Sequence, residues 1–234
     1  MEIDYSHIKV IGFDADDTLW VNETYYREAE LEFSALLSQF ETANKIDQEL
    51  FKMEMKNLDL YGYGIKSFIL SMVESALDIS NNKISHNSIN SILNIGKNML
   101  NRPIELLEGV EEVLKALSKK YRLILATKGD LLDQERKLEK SGLTDYFHHI
   151  EVMSDKKGSN YSKLLNHLDI KPSEFLMIGN SLKSDILPLV HLKAHAIHVP
   201  FHTTWIHEQV TDEETNGKTY KTISSLKELT NLLN

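Results

Sequence analysis

The sequence of 234 residues contains no cysteine, which excludes disulfide bonds, thiolate metal sites and cysteine nucleophiles. No apolar run approaches the ~18 residues that a membrane span requires, and the opening Met-Glu-Ile-Asp lacks the basic and apolar stretches of a secretory signal. Basic residues are in the minority, and the net charge of −9 disfavours binding to nucleic-acid phosphates. We therefore expect a cytoplasmic protein with neither nucleic-acid nor membrane partners.

The composition is that of an ordinary globular chain. Hydrophobic residues make up 41% and charged residues 26%, which argues against disorder. A chain of this length buries roughly 70–75% of its unfolded surface on folding. The length fits one medium domain, or one domain that carries an insertion.

The hydrophobic pattern changes along the chain. An apolar run at 8–13 predicts a buried strand, and the region from about 24 to 100 has helical periodicity with almost no strand-like alternation. After Pro103 we predict strands separated by helices, which implies a parallel sheet covered on both faces. The fold class is therefore α/β: a Rossmann-like core from residues 1–20 and 103–234, with an all-helical cap from 21–102. The predicted strands of the second region lie at 121–127, 149–153, 175–179 and 196–199, and helices are predicted near 24–40, 65–79, 88–100, 131–141 and 224–233.

Polar residues follow each predicted strand of the core. Since ligands bind at the carboxyl ends of the strands in such sheets, we expect these side chains to converge there. Crowded carboxylates repel one another unless a cation joins them, and oxygen ligands without nearby His or Cys favour Mg²⁺. The segments are Asp14-Ala15-Asp16-Asp17-Thr18, Thr127-Lys128-Gly129-Asp130, Asp155-Lys156-Lys157 and Gly179-Asn180-Ser181 with Asp185.

This set of residues suggests phosphoryl chemistry. A carboxylate held by a cation stays ionised and can attack phosphorus, which forms an aspartyl-phosphate that water later hydrolyses. A second carboxyl two positions along can protonate the leaving oxygen and then accept a proton from the attacking water. A metal ion, a lysine and backbone N–H groups would stabilise the charge on the transferring phosphoryl group.

The sequence resembles the haloacid dehalogenase-like (HAD) hydrolases. IGFDADDTLW looks like motif I of that family, LILATKG like motif II, SDKK like motif III and IGNSLKSDI like motif IV. Order and spacing agree over nearly the whole chain, including a helical cap between motifs I and II. The resemblance implies Asp14 as nucleophile and Asp16 as general acid/base. It also implies that Thr127 donates a hydrogen bond to the phosphate and that Asp185 belongs to a Mg²⁺ site.

Further roles follow from the same resemblance. The backbone carbonyl of Asp16 would be a metal ligand, and motif III would supply a lysine, for which we favour Lys156 over Lys157. Motif IV usually reads Gly-Asp, whereas this chain has Asn180, whose amide oxygen can still ligate a metal with lower affinity. The predicted catalytic residues are thus Asp14, Asp16, Thr127 and Lys156, and the predicted metal ligands are Asp14, Asp16, Asn180 and Asp185.

The leading hypothesis is a Mg²⁺-dependent phosphatase that acts on a small phosphorylated metabolite. A 2-haloacid dehalogenase also uses an Asp nucleophile, but such enzymes need no metal and lack the acid that Asp16 provides here. A receiver-like signalling domain and a non-catalytic phospho-ligand-binding protein are further alternatives, and the second is supported only by Asn180. The choice of phosphomonoester depends on the shape of the cap, and no pattern indicates an oligomeric state.

Two features near the cap have open interpretations. The segment Tyr61-Gly62-Tyr63-Gly64 is either a lid loop that presents a tyrosine hydroxyl to the substrate or a turn between two helices. Trp20, just past motif I, is expected to pack with the cap.

Overall fold

The computed structural model describes residues 4–233, and these form two compact units. Among the described residues, the first unit contains 4–23, 104–128 and 136–233, and the second contains 24–103 and 129–135. Within these residues, no helix has both the length and the apolar character needed to cross a bilayer.

A six-stranded parallel sheet forms the centre of the first unit. The strand order is β3-β2-β1-β4-β5-β6, so the chain runs outward from β1 to one edge and then returns to the other side of β1. This is the doubly wound arrangement in which ligands bind at the point where the order reverses, beside β1 and β4. The strands are β1 (Val10–Phe13), β2 (Arg122–Lys128), β3 (His149–Met153), β4 (Phe175–Gly179), β5 (His195–His198) and β6 (Lys221–Thr222).

Alternate residues of the central strands supply two separate hydrophobic clusters. In β1, Ile11 and Phe13 belong to one cluster, whereas Val10 belongs to the other. Because successive side chains of a strand point to opposite faces, the two clusters lie on the two faces of the sheet. Every residue of β1 and β4 is buried, which explains why these strands are continuous apolar runs in the sequence.

Helices cover the sheet and connect its strands, as parallel pairing requires. Those that follow Pro103 are α5 (Val110–Leu117), α6 (Leu131–Ser141), α7 (Gly158–His167), α8 (Leu187–His191), α9 (Asp212–Thr215) and α10 (Leu229–Leu232).

The carboxyl-terminal part of the chain differs from the prediction. The strand predicted at 196–199 is not the last one, because β6 pairs with β5. The helix predicted at 224–233 is instead a short 3₁₀ turn, Leu226–Glu228, followed by a single turn of α-helix. A two-residue strand carries too little hydrophobic alternation to be recognised in a sequence.

The second unit contains α1 (Glu23–Leu37), α2 (Ala43–Tyr61), α3 (Ile65–Ile79) and α4 (His86–Asn101), except that Glu23 belongs to the first unit. Its core holds residues from all four helices, among them Phe33, Leu50, Met72 and Ile92. No separate helix was predicted at α2, although its buried Ile46, Leu50 and Met53 recur at helical spacing. The all-helical character of this region is as predicted.

The Tyr61–Gly64 segment forms the turn between α2 and α3. Gly62 and Gly64 have φ values of 72° and 108°, which side chains other than glycine rarely adopt. A Cβ on Gly64 would also lie 3.1 Å from the backbone nitrogen of Asp130. Asp130 accepts a hydrogen bond from Lys66 at 2.8 Å, so residues 129–135 join this unit through both contacts.

Candidate active site

The sheet order places the sequence-predicted residues beside one another. In the pairing register, Phe13 at the end of β1 lies opposite Leu125 of β2 and Ile178 of β4. Asp14 therefore emerges between the end of β2, which carries Thr127, and the end of β4, which Asn180 follows. All of these segments belong to the first unit.

A buried lysine joins the two central carboxylates. The Lys156 ammonium donates to Oδ1 of Asp14 and, at 2.7 Å, to Oδ1 of Asp185. Asp14, Asp185 and Lys156 are all buried, with 6%, 1% and 3% of their surfaces exposed. Lys157, by contrast, has a side chain that is 75% exposed and pairs with Asp155. The structure thus brings Lys156, and not Lys157, to the predicted nucleophile.

The charges of this cluster do not balance. Two buried carboxylates face one ammonium group, so one negative charge remains without a buried partner in the trio. Burial raises the pKa of Asp14 to about 7, with Lys156 opposing the rise and the Asp185 carboxylate adding to it. A further positive charge beside Asp14 would therefore stabilise its ionised form.

Thr18 connects motif I with motif IV. Its hydroxyl lies 3.0 Å from Oδ2 of Asp14 and 3.3 Å from Oδ1 of Asn180, and it accepts the Asn180 backbone N–H at 3.1 Å. The Asn180 side chain is thus directed to the same hydroxyl that contacts the Asp14 carboxylate. Thr18 was not among the predicted site residues, although the Asp-x-Asp-x-Thr spacing contained it.

Asp185 lies in an irregular turn and not at the start of a regular helix. Residues Leu182–Ile186 form a wide, π-type turn that precedes α8. Pro188 has no N–H to donate to the carbonyl of Ser184, and the buried Tyr161 hydroxyl donates to that carbonyl instead, at 3.0 Å. The turn holds Asp185 so that its Oδ2 accepts the backbone N–H of Ser181 at 3.0 Å.

Gly179 makes room for the Asp185 carboxylate. A Cβ at position 179 would lie 2.3 Å from Oδ2 of Asp185 and 2.6 Å from its Cβ. The glycine before Asn180 is therefore required by the close approach of the Asp185 side chain.

Two side chains donate hydrogen bonds to the Asp16 carboxylate. Its Oδ1 accepts the indole N–H of Trp20 at 2.7 Å and the ammonium of Lys137 at 2.9 Å. Lys137 also donates to Oδ1 of Asn22 at 2.8 Å. Trp20 is fully buried in the hydrophobic cluster of the first unit, and its indole N–H is directed at Asp16. That Trp20 packs with the cap stays a prediction. Lys137 is the seventh residue of α6. Nothing in the sequence distinguishes it from the other lysines on helices, so it was not predicted as a site residue.

Asp17 bonds backbone N–H groups at the start of α1. Its φ of 61° lies in the left-handed region, and its carboxyl oxygens accept the backbone N–H groups of Asn22 and Glu23 at 2.8 to 3.1 Å. Burial raises the pKa of Asp17 to about 8. These contacts bond the first N–H groups of α1, as a capping residue does.

A second, partly buried ion pair joins Lys128 and Glu208. Lys128 at the end of β2 donates to Glu208 at 2.6 Å and to the Ser184 hydroxyl at 2.9 Å. The other oxygen of Glu208 accepts the hydroxyls of Ser181 and Ser184, each at 2.5 Å. Burial alone would raise the pKa of Glu208, but Lys128 and the two hydroxyls lower it to about 2. Glu208 lies in a 3₁₀ turn remote from every motif, so the sequence contained no signal for it.

Thr127 is buried at the end of β2, with 1% of its surface exposed. Its hydroxyl donates to the backbone carbonyl of Lys128 at 3.2 Å. The structure places it on the strand beside Asp14, in the position that motif II predicts.

The donor set fits Mg²⁺ only if neutral oxygens contribute. Within residues 4–233, no three His, Asp or Glu side chains form a metal-binding cluster. Asp14 and Asp185 supply two carboxylates, and the neutral oxygens in the predicted ligand set are the Asn180 amide and the Asp16 backbone carbonyl. The unbalanced negative charge and the raised pKa of Asp14 are what a divalent cation would relieve.

Comparison with known proteins identifies the family. No curated protein sequence matches this chain. A haloacid dehalogenase-like hydrolase from Xanthomonas campestris has a similar structure, with a TM-score of 0.87 and 35% identity over 100% of this chain and 93% of that one. The HAD-hydrolase YfnB from Bacillus subtilis, bound to magnesium, gives a TM-score of 0.64 at 17% identity, over 97% and 99% of the two chains. A 2-haloacid dehalogenase from Pseudomonas syringae pv. tomato gives 0.62 at 19% identity, over 97% and 98%. The family model for haloacid dehalogenase-like hydrolases matches residues 8–192, and the chain therefore belongs to the haloacid dehalogenase-like hydrolase family.

Proposed function

We propose that this hydrolase is a Mg²⁺-dependent phosphatase that acts on a small phosphomonoester through an aspartyl-phosphate. The observation that carries the proposal is the pair of carboxylates two residues apart with different partners. Asp14 is buried against Lys156, whereas Asp16 is half-buried and bonded to Trp20 and Lys137. Two carboxyl groups in different environments suit two different roles in one reaction.

In the first half-reaction the Asp14 carboxylate attacks phosphorus. The P–O bond to the leaving group breaks, and the leaving oxygen takes a proton from the Asp16 carboxyl. The Lys156 ammonium and the Thr127 hydroxyl would stabilise the charge of the phosphoryl oxygens. The ester oxygen needs this proton because an alkoxide is a poor leaving group.

In the second half-reaction a water molecule attacks the phosphorus of the aspartyl-phosphate. One water proton passes to the Asp16 carboxylate, the bond between phosphorus and the Asp14 oxygen breaks, and its electron pair returns to the Asp14 carboxylate. The acid of the first step is thus the base of the second, and both side chains return to their starting states.

Mg²⁺, when bound, would neutralise the carboxylates and the phosphate oxygens. Asp14, Asp185, Asn180 and the Asp16 carbonyl would hold it. The magnesium bound to the Bacillus subtilis relative supports this assignment, as does the unbalanced charge of the Asp14–Lys156–Asp185 trio.

The rival activity, dehalogenation, is favoured by the Pseudomonas syringae relative and by Asn180 in place of an acid. Halide needs no proton in order to leave, and a dehalogenase has no use for a second acid at position 16. The donors assembled around Asp16 therefore support the phosphatase.

The test is an assay of the purified protein on p-nitrophenyl phosphate and, in parallel, on 2-chloropropionate. We expect nitrophenol release that requires Mg²⁺ and disappears with EDTA, and no chloride release. Asp14→Asn should abolish turnover, and Asp16→Asn should lower it by at least about 10²-fold. The matched control is Asp145→Asn, which changes an exposed carboxyl of the same unit. Chloride release without phosphate release would refute the proposal.

A further inference from the structure

Asp16 gives a proton in the first half of the proposed reaction and accepts one in the second, and the structure shows two donors that bond its carboxylate. The indole N–H of Trp20 and the ammonium of Lys137 both donate to Oδ1 of Asp16. The two donors come from different parts of the chain, since Lys137 is 121 residues from Asp16. An aspartate on a loop gains a fixed side-chain orientation from such a pair.

Lys137 is itself held in place. Its side chain is 12% exposed, and its ammonium also donates to Asn22 at 2.8 Å. The lysine stem rises from α6, a regular helix, and Trp20 is fully buried in the hydrophobic cluster of the first unit. Both donors are therefore supported by rigid elements, unlike a surface lysine that moves freely in water.

The contact between Lys137 and Asp16 differs in strength between the two half-reactions. An ammonium group binds an ionised carboxylate more strongly than a neutral carboxyl. Asp16 begins the second half-reaction as a carboxylate, after it has given its proton to the leaving group. The contact with Lys137 is therefore strongest when Asp16 has to accept a proton from the attacking water.

We propose that Lys137, supported by Trp20, is a positioning residue that holds the Asp16 carboxylate for hydrolysis of the aspartyl-phosphate. This inference rests on the proposed phosphatase function and adds a residue outside the four motifs. Without Lys137, water attack should slow while formation of the aspartyl-phosphate continues, so that the phosphorylated enzyme accumulates.

The experiment is rapid-mixing kinetics with p-nitrophenyl phosphate and Mg²⁺ on the full chain. In Lys137→Met we expect a burst of nitrophenol equal to the enzyme concentration, followed by a steady-state rate about tenfold below wild type. Because a slower second step lowers kcat and KM together, kcat/KM should stay within about twofold. Lys137→Arg should restore most of the steady-state rate, since it keeps a cationic donor.

Two further variants separate positioning from folding. Trp20→Phe keeps a buried aromatic ring but removes the N–H donor and part of the side-chain volume, and it should give a smaller burst of the same kind. Lys115→Met removes an exposed helix lysine of the same unit and should behave as wild type.

The inference is overturned if Lys137→Met has wild-type kinetics, or if its kcat/KM falls tenfold without a burst, which would indicate a merely structural role. A wild-type protein that releases no nitrophenol would refute the proposed function itself, and the inference with it.

Discussion

Replacing the proposed nucleophile, Asp14→Asn, should remove activity and at the same time stabilise the metal-free protein at neutral pH. Asp14 is 6% exposed, and burial raises its pKa to about 7. An unfolded chain loses that proton near 3.8. Between these values the folded state binds more protons than the unfolded state, so the free energy of unfolding falls as the pH rises from about 4 to 7.

The magnitude follows from the difference between the two pKa values. Since each pKa unit corresponds to about 1.4 kcal/mol, a pKa of about 7 against 3.8 amounts to about 4 kcal/mol at most. An amide cannot ionise and escapes this cost. It also keeps an acceptor for Lys156, and the Thr18 hydroxyl, 3.0 Å from Oδ2 of Asp14, can rotate to accept its N–H. The variant should equal wild type near pH 4 and exceed it by up to about 4 kcal/mol at pH 8.

The assay is urea unfolding in EDTA at several pH values between 4 and 8. With a slope of about 3 kcal/mol/M, the midpoint of the variant should lie about 1 M above that of wild type at pH 8. Adding Mg²⁺ should narrow the gap, because the ion stabilises the wild-type carboxylate. Asp145→Asn, at an exposed position, is the matched control and should not shift the midpoint. A variant that is less stable than wild type at pH 8, or a gain that does not change with pH, would refute the reasoning.

Three further predictions concern residues of the candidate site and of the segments beside it. Lys156→Met leaves two buried carboxylates without their cation, and it should lower the free energy of unfolding by about 3–5 kcal/mol at neutral pH, measured by chemical denaturation. The control, Lys157→Met, changes a side chain that is 75% exposed and should stay within about 0.5 kcal/mol of wild type. Glu208→Gln removes a carboxylate whose pKa is lowered to about 2 from 4.5; the stability that this group contributes is present above pH 4.5, so the variant should lose about 3 kcal/mol at pH 7, and the loss should shrink as the pH falls toward 2. Gly179→Ala places a Cβ 2.3 Å from Oδ2 of Asp185 and should abolish the rise in Tm on adding Mg²⁺; an unchanged thermal shift would contradict the assigned ligand.

Much of the fold was predictable because it depends on local patterns. Buried parallel strands must be apolar on both faces, and the runs at β1 and β4 are therefore visible in the sequence. The strands at His149–Met153 and Phe175–Gly179 have the predicted bounds. The two-residue β6 was missed because two residues are too few to show a period. Helix α2 was missed although its buried Ile46, Leu50 and Met53 recur at helical spacing.

The grouping of the candidate residues was predictable to the extent that they follow strands. Asp14, Thr127 and Asp185 were proposed together because a parallel sheet brings the ends of its strands to one edge. Glu208 and Lys137 were not, since a lysine or glutamate on a turn or helix has the same sequence appearance whether it faces solvent or a carboxylate. Only the packed structure shows that Lys137 bonds Asp16 and that Glu208 bonds Lys128 and the hydroxyls of Ser181 and Ser184.

The sequence by itself determined the α/β class, the helical insert and the order of the four motifs, because periodicity and spacing are properties of neighbouring residues. The tertiary structure decided which lysine meets Asp14, which donors hold Asp16, and that Asp185 lies in a wide turn. Those outcomes depend on the distance and burial of residues more than a hundred positions apart, such as Asp14 and Lys156. Burial sets the strength of a charge interaction, and burial is decided only when the chain has folded.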